Sequence, residues 1–146
     1  MDNVFELDTI AAISTPRGKG GVALIRISGS AAIEVADRIF IPAAGGALSE
    51  KKARLSVFGR IISPTDGFCI DEGIAVIFRA PASFTGEDTV EICCHGGVLV
   101  TRRVLGACFA AGARPVLNAF VEEVEKAGLD RALSNEEIRN MITAFN

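Results

Sequence analysis

The stretch TGEDTVEICCHGG, residues 85–97, gathers groups able to do chemistry: acids at Glu87, Asp88 and Glu91, adjacent thiols at Cys93 and Cys94, and His95, the single histidine of the chain. A thiol next to an imidazole suggests an activated nucleophile, and thiols with an imidazole suggest a metal site. The run reads as a strand ending at the glycine pair Gly96 and Gly97. A strand's period of two then puts Glu91, Cys93 and His95 on one face and Val90, Ile92 and Cys94 on the other. Same-face neighbours two apart are about 7 Å from each other at Cα, which makes a direct Cys93–His95 dyad awkward. A structural zinc site needs four nitrogen or sulfur ligands, and only Cys69 and Cys108 remain to complete one. The expectation is therefore no metal and no catalytic thiol. The cysteines act as small apolar packing residues, and His95 bonds the backbone or caps the turn.

Glu91 is different, because it interrupts an apolar strand. A carboxylate there must be solvated, paired or bound to a ligand, since burying it bare costs several kcal/mol. Arg26, central in VALIRIS (residues 22–28), raises the same difficulty. Two readings stay open from the residues alone: a salt bridge between the two across the sheet, or a pair of ligand-binding charges. The loop RGKGG, residues 17–21, lacks the G-x-x-x-x-G-K-[ST] pattern and leads into a strand, so it is read as a solvated hairpin rather than a nucleotide-phosphate loop.

The elements that must position these groups follow from periodicity. Short apolar runs at residues 8–14 and 22–28 read as strands, and residues 31–40 carry apolar positions at helical spacing after the cap-competent Ser30. Residues 41–53 have the composition of an exposed loop. RLSVFGRIIS and CIDEGIAVIFRA about the turn PTDGF suggest a hairpin, and residues 98–111 suggest a helix ended by Gly112 and Ala113. Beyond Arg114 two short helices are expected, split near Gly128. The second carries a capping-box pattern at Ser134 and Glu137 and an apolar stripe of Ile138, Met141, Ile142 and Phe145.

Composition limits what such a chain can be. Its 146 residues, 49% hydrophobic and 23% charged, suit one compact domain with a core. A net charge of -3 supplies no broad cationic surface for direct, sequence-independent nucleic-acid binding. The acidic start MDNVFELD is unlike a secretory signal, no apolar run is long enough to span a bilayer, and the four cysteines form no secreted framework. A cytoplasmic protein with reduced thiols and no membrane association is expected.

The motifs DTIAAISTPRGKGGVALIRISG, IDEGIAVIFRAPASFTGEDTVEICCHGG and LGACFAAGAR resemble the N-terminal domain of the tRNA-modifying GTPase family MnmE, also called TrmE, over about residues 8–114. The resemblance implies an α/β (α+β) domain with a mixed sheet of about five strands and helices, similar to the tetrahydrofolate-binding domain of the glycine-cleavage T protein. It further implies a homodimer that binds a formyl- or methylene-tetrahydrofolate. In full-length family members that cofactor serves modification of the tRNA wobble uridine, jointly with the flavoprotein MnmG. Carried over residue by residue, the family's folate-contacting arginine falls on Arg26 and its glutamate on Glu91.

The sequence then departs from the family. Where a PGEF and RAFLNGK segment with a third, basic folate contact is expected, this chain reads PVLNAFVEEVEK, and no GTPase segment or C-terminal C-I-G-K is present. Residues 1–118 are therefore expected to form the folate-binding domain and residues 119–146 a divergent helical tail, with no GTP site and no catalytic activity of the chain alone. Residues 124–145 resemble a short stretch of DNA gyrase B without its acidic catalytic motifs. The alternative function is a dimerisation or protein-interaction module that does not bind folate.

Overall fold

The computed structural model describes residues 9–15 and 20–115. The helices expected beyond Arg114, most of the RGKGG loop and the first eight residues lie outside them. Among the described residues, seven strands and two α-helices follow in order: β1 (Ile10–Ile13), β2 (Val22–Ser28), α1 (Ala32–Ile39), β3 (Phe40–Pro42), β4 (Val57–Ile62), β5 (Cys69–Phe78), β6 (Thr89–His95), α2 (Val98–Ala110) and β7 (Arg114–Pro115). They form one sheet in the order β3-β4-β5-β6-β2-β1-β7. Every neighbouring pair is antiparallel except β1 with β7, so the sheet is mixed, as expected.

The strand number exceeds the expected five because both sheet edges are very short. Phe40–Pro42 pairs with β4, and Arg114–Pro115 pairs with β1. The exposed loop expected at residues 41–53 is correspondingly less open, since Leu48, in a 3₁₀ turn Leu48–Glu50, is fully buried. Neither edge carries a periodic pattern, as two or three residues are too few to show one.

Local chemistry accounts for the longer elements. β2 and β6 are rich in β-branched residues that suit a pleated surface. The β4–β5 turn is closed by the Asp66 carboxylate, which accepts a 2.9 Å bond from the Phe68 amide, and by Gly67 at φ 73°. Helix α1 carries the i,i+4 pair Glu34–Arg38 at 2.6 Å. The other Arg38 nitrogen donates to the Ala111 carbonyl at 2.7 Å, which ties α1 to the end of α2. α2 stops where Gly112 takes φ 117°, its amide and that of Ala113 returning to the carbonyls of Phe109 and Cys108.

Strand alternation sorts the sheet into two faces. Ile25, Ile27, Ala75, Ile77, Val90 and Ile92 form one core with Val35 and Ile39 of α1 and Val104 and Cys108 of α2. Each fully buried isoleucine contributes about 1.5–3 kcal/mol in transfer from water. The other face is left open by the helices. Across it the register aligns Phe58, Ile74, Cys93 and Leu24 in one row and Val76, Glu91, Arg26 and Ala12 in the next. Phe58 is 55% exposed and Ile74 43%.

Two glycines separate packing from propensity. A Cβ on Gly73 would collide with the Cys93 carbonyl, whereas one on Gly106, on the exposed side of α2, would meet nothing. In urea denaturation, Gly73→Ala should destabilise the domain by about 1–3 kcal/mol. Gly106→Ala should stabilise it by about 0.5–1 kcal/mol.

Candidate functional site

Arg26 and Glu91 face each other directly in the β2–β6 register, at the centre of the open face. The Arg26 Nε and Nη2 groups both donate to Glu91 Oε1, at 3.2 and 2.8 Å. Their side chains are only 9% and 15% exposed. Of the two readings the residues left open, the cross-sheet ion pair is therefore present. Both Arg26 bonds converge on one oxygen, so Glu91 Oε2 receives no hydrogen bond from the described residues and keeps its lone pairs for another donor.

The loop of residues 79–88 folds over this end of the face. Ser28 Oγ bonds Thr85 Oγ1 at 2.7 Å and Glu87 Oε2 at 2.8 Å, and the Asp88 carboxylate accepts the Ala80 amide at 2.9 Å. So anchored, the loop lays the Phe84 ring over the Arg26 guanidinium, 5.0 Å from Cζ to the ring centroid, a cation–π contact. Phe78 meets the same ring edge-on. Phe84 was not legible as a site residue, because its place depends on how the loop returns over the sheet.

The other groups singled out in the sequence go elsewhere. His95 Nδ1 lies 2.8 Å from Asp71 Oδ1, and the His95 amide donates to Asp71 Oδ2 at 2.9 Å, so the imidazole pairs with a carboxylate of β5. Burial pushes the Asp71 carboxyl up, but the hydrogen bonds from the His95 amide and ring outweigh it and hold it below its ordinary value. No sequence signal pointed to Asp71. Immediately after His95, Gly96 packs so closely on the Gly20 backbone that no Cβ would fit. Cys94 and Cys108 are buried, with 3% and 0% exposure, while Cys69 is exposed and Cys93 intermediate. Burial, followed by the charge of Asp71 and the neighbouring Cys93, pushes the Cys94 thiol up to about 11, and burial pushes Cys108 up to about 12. Among the described residues no three His, Cys, Asp or Glu side chains converge as a metal ion would need. A separate open groove of about 440 Å³ lies between the β4–β5 turn and α2, lined by Phe68, Ile70, Arg103 and Ala107 among others, away from Arg26 and Glu91.

Residues 9–118 match the family model described as GTP-binding protein TrmE N-terminus. The chain belongs to the TrmE N-terminal family. It is 46% identical over 107 residues to the tRNA modification GTPase MnmE of Carboxydothermus hydrogenoformans, covering 73% of this chain and 23% of that protein. It is 48% identical over 107 residues to the MnmE of Symbiobacterium thermophilum, again over 73% and 23% of the two chains. With the MnmE of Parabacteroides distasonis the identity is 49% over 109 residues, 74% of this chain and 23% of the relative. The chain thus spans about a quarter of the length of the MnmE proteins it matches. The match to the TrmE N-terminus contains β2 and β6 and with them the whole Arg26–Glu91 pair.

Removing one member of a poorly solvated ion pair leaves a stranded charge, whereas removing both does not. Glu91→Leu alone should therefore cost about 3–5 kcal/mol in urea denaturation. Adding Arg26→Met in the same chain should recover most of that loss.

Thiol labelling tests the packing of the cysteines. With iodoacetamide at pH 8 and peptide mapping, Cys69 should react first and Cys93 more slowly, while Cys94 and Cys108 stay unlabelled until the chain unfolds. Because their folded values are raised above the ordinary 9.0, the stability these thiols contribute is present below about pH 9. It declines as the pH rises toward about 11.

Proposed function

We propose that this chain is the tetrahydrofolate-binding and dimerisation module of an MnmE-type tRNA-modifying GTPase, with Arg26 and Glu91 as its folate-binding charges. The observation that carries the reading is the pair itself: a carboxylate and a guanidinium held together on the open face, with one carboxylate oxygen still unclaimed by the described residues. A pterin ring presents an amide N–H beside an exocyclic amine, adjacent donors that a carboxylate accepts, and an arginine matches ligand acceptors or carboxylates. The residues present therefore fit the group. When bound, a formyl- or methylene-tetrahydrofolate supplies a one-carbon unit. The protein's part is to orient it: Glu91 fixes the donor edge of the ring, and the two bonds from Arg26 hold the Glu91 carboxylate in place on the open face.

The rest of the reading is membership in a larger machine. The family relatives are named as tRNA modification GTPases, and the proposal extends that role to this domain within a longer protein. In that setting it works in the cytoplasm, with tRNA and the flavoprotein MnmG as partners and with GTP handled outside these residues. No helix among the described residues is long and apolar enough to cross a membrane. Phe58, Ile74 and Val22, exposed at 55%, 43% and 62%, give the open face the apolar character that supports a homodimer. The same apolar row favours the second reading, a dimerisation module without folate.

Calorimetric titration with formyl-tetrahydrofolate separates the two. Saturable binding should appear in the parent chain and weaken at least tenfold in the paired variant Arg26→Met, Glu91→Leu, the least expected from losing one charge-assisted contact of about 1.5–3 kcal/mol. Light scattering should show a dimer in both. A folded, dimeric parent that takes up no folate leaves the interaction-module reading in place.

A further inference from the structure

Arg26 is a charged residue on the side of the sheet that the helices leave uncovered, yet it is only 8% exposed. Part of its cover is the Phe84 ring, which is itself 72% exposed. A phenylalanine so open to water gains little from burial, and what holds it is the guanidinium below at 5.0 Å and the edge of Phe78 at a centroid distance of 6.3 Å. The backbone on either side is fixed much more firmly. Thr85 and Glu87 are bonded to Ser28, and Ser83 Oγ donates to the Glu87 carbonyl. The ring can therefore leave Arg26 by rotating its own side chain, a motion of an exposed residue that needs no rearrangement of the loop.

We propose that Phe84 is the gate of the Arg26–Glu91 site. In the closed state its ring occupies the position from which a ligand on the open face would reach the guanidinium, and binding exchanges this ring for the flat ring of the ligand. The identity of that ligand as a folate rests on the function proposed above, whereas the gating of Arg26 does not. The gate adds selectivity of a simple kind. A small ion has no flat face with which to replace the ring over the guanidinium, while a planar heterocycle restores a stacked partner over Arg26 and adds donors for Glu91.

The first test needs no ligand. Phenylglyoxal modifies accessible guanidinium groups, and peptide mapping of the full chain reads the rate at Arg26 against exposed Arg60 and Arg79. Phe84→Ala and Phe84→Leu should raise the Arg26 rate threefold or more and leave Arg60 and Arg79 unchanged, while Phe84→Trp, which keeps a ring over the guanidinium, should not raise it. The tryptophan variant also adds the only indole to a chain that has none, so its emission reports the fold and the position of the ring. The second test is stopped-flow mixing with formyl-tetrahydrofolate, in which Phe84→Ala should bind several-fold faster and at least as tightly as the parent. An unchanged Arg26 rate in the alanine and leucine variants overturns the gate. So does weaker folate binding by Phe84→Ala, because the ring would then be a permanent wall of the site. If the parent binds no folate but the alanine variant exposes Arg26, the folate reading fails and the gate stands.

Discussion

The organisation of the domain turns on a cross-strand contact at the middle of its sheet, the Arg26–Glu91 pair. Both residues belong to strands whose alternate positions are fully buried: Ile25 and Ile27 on β2, and Val90 and Ile92 on β6. Sliding either strand by one residue would turn its charge into the helix-covered core and its isoleucines into water. The pair is thus compatible with one register of β2 on β6, and that register places every other group on the open face. The same contact that makes the centre of the sheet polar also specifies how it is assembled.

The two faces have different tasks. Beneath the helices, aliphatic packing supplies the stability, and the two most deeply placed thiols take part as apolar residues. The open face has a charged pair, an apolar row and a roofing loop, which together are expensive in stability and useful for binding. Ser28 connects the two tasks: it is 2% exposed, lies in the strand that carries Arg26, and anchors through Thr85 and Glu87 the loop that covers Arg26. The loop is therefore positioned by the same strand as the group it shields.

Much of this was legible in the residues. VALIRIS reads as a strand over residues 22–28 and is one over the same residues, because it is a short apolar, isoleucine-rich run bounded by glycines at Gly21 and Gly29. The helix at 98–111 is legible from its helical spacing, with Gly112 ending it, and a central arginine and a central glutamate in apolar strands mark both as needing a partner or a ligand without saying which. The edge strands were not legible, since β3 and β7 exist only through their neighbours. Leu48 reads as part of a solvated loop and is buried by a turn that local composition does not encode. His95 is expected to bond the backbone or cap the turn, but its ring pairs with Asp71. Phe84 and Asp71 share one reason for escaping notice: each acquires its meaning from a partner far along the chain, and spacing within a segment carries no trace of such a contact.

The strand order also has a kinetic side. β1 and β2 are joined in sequence, as are β3 to β6, so each group pairs largely with its own neighbours. The two groups meet along the β2–β6 border, where Arg26 and Glu91 are separated by 65 positions. Closing so long a loop costs more chain entropy than closing the hairpins on either side of it, and contacts across that border are gained late relative to the local pairings. A molecule that bridges Arg26 and Glu91 would act as a staple across the seam between two cooperative units, slowing hydrogen exchange in both even though it touches only one residue of each.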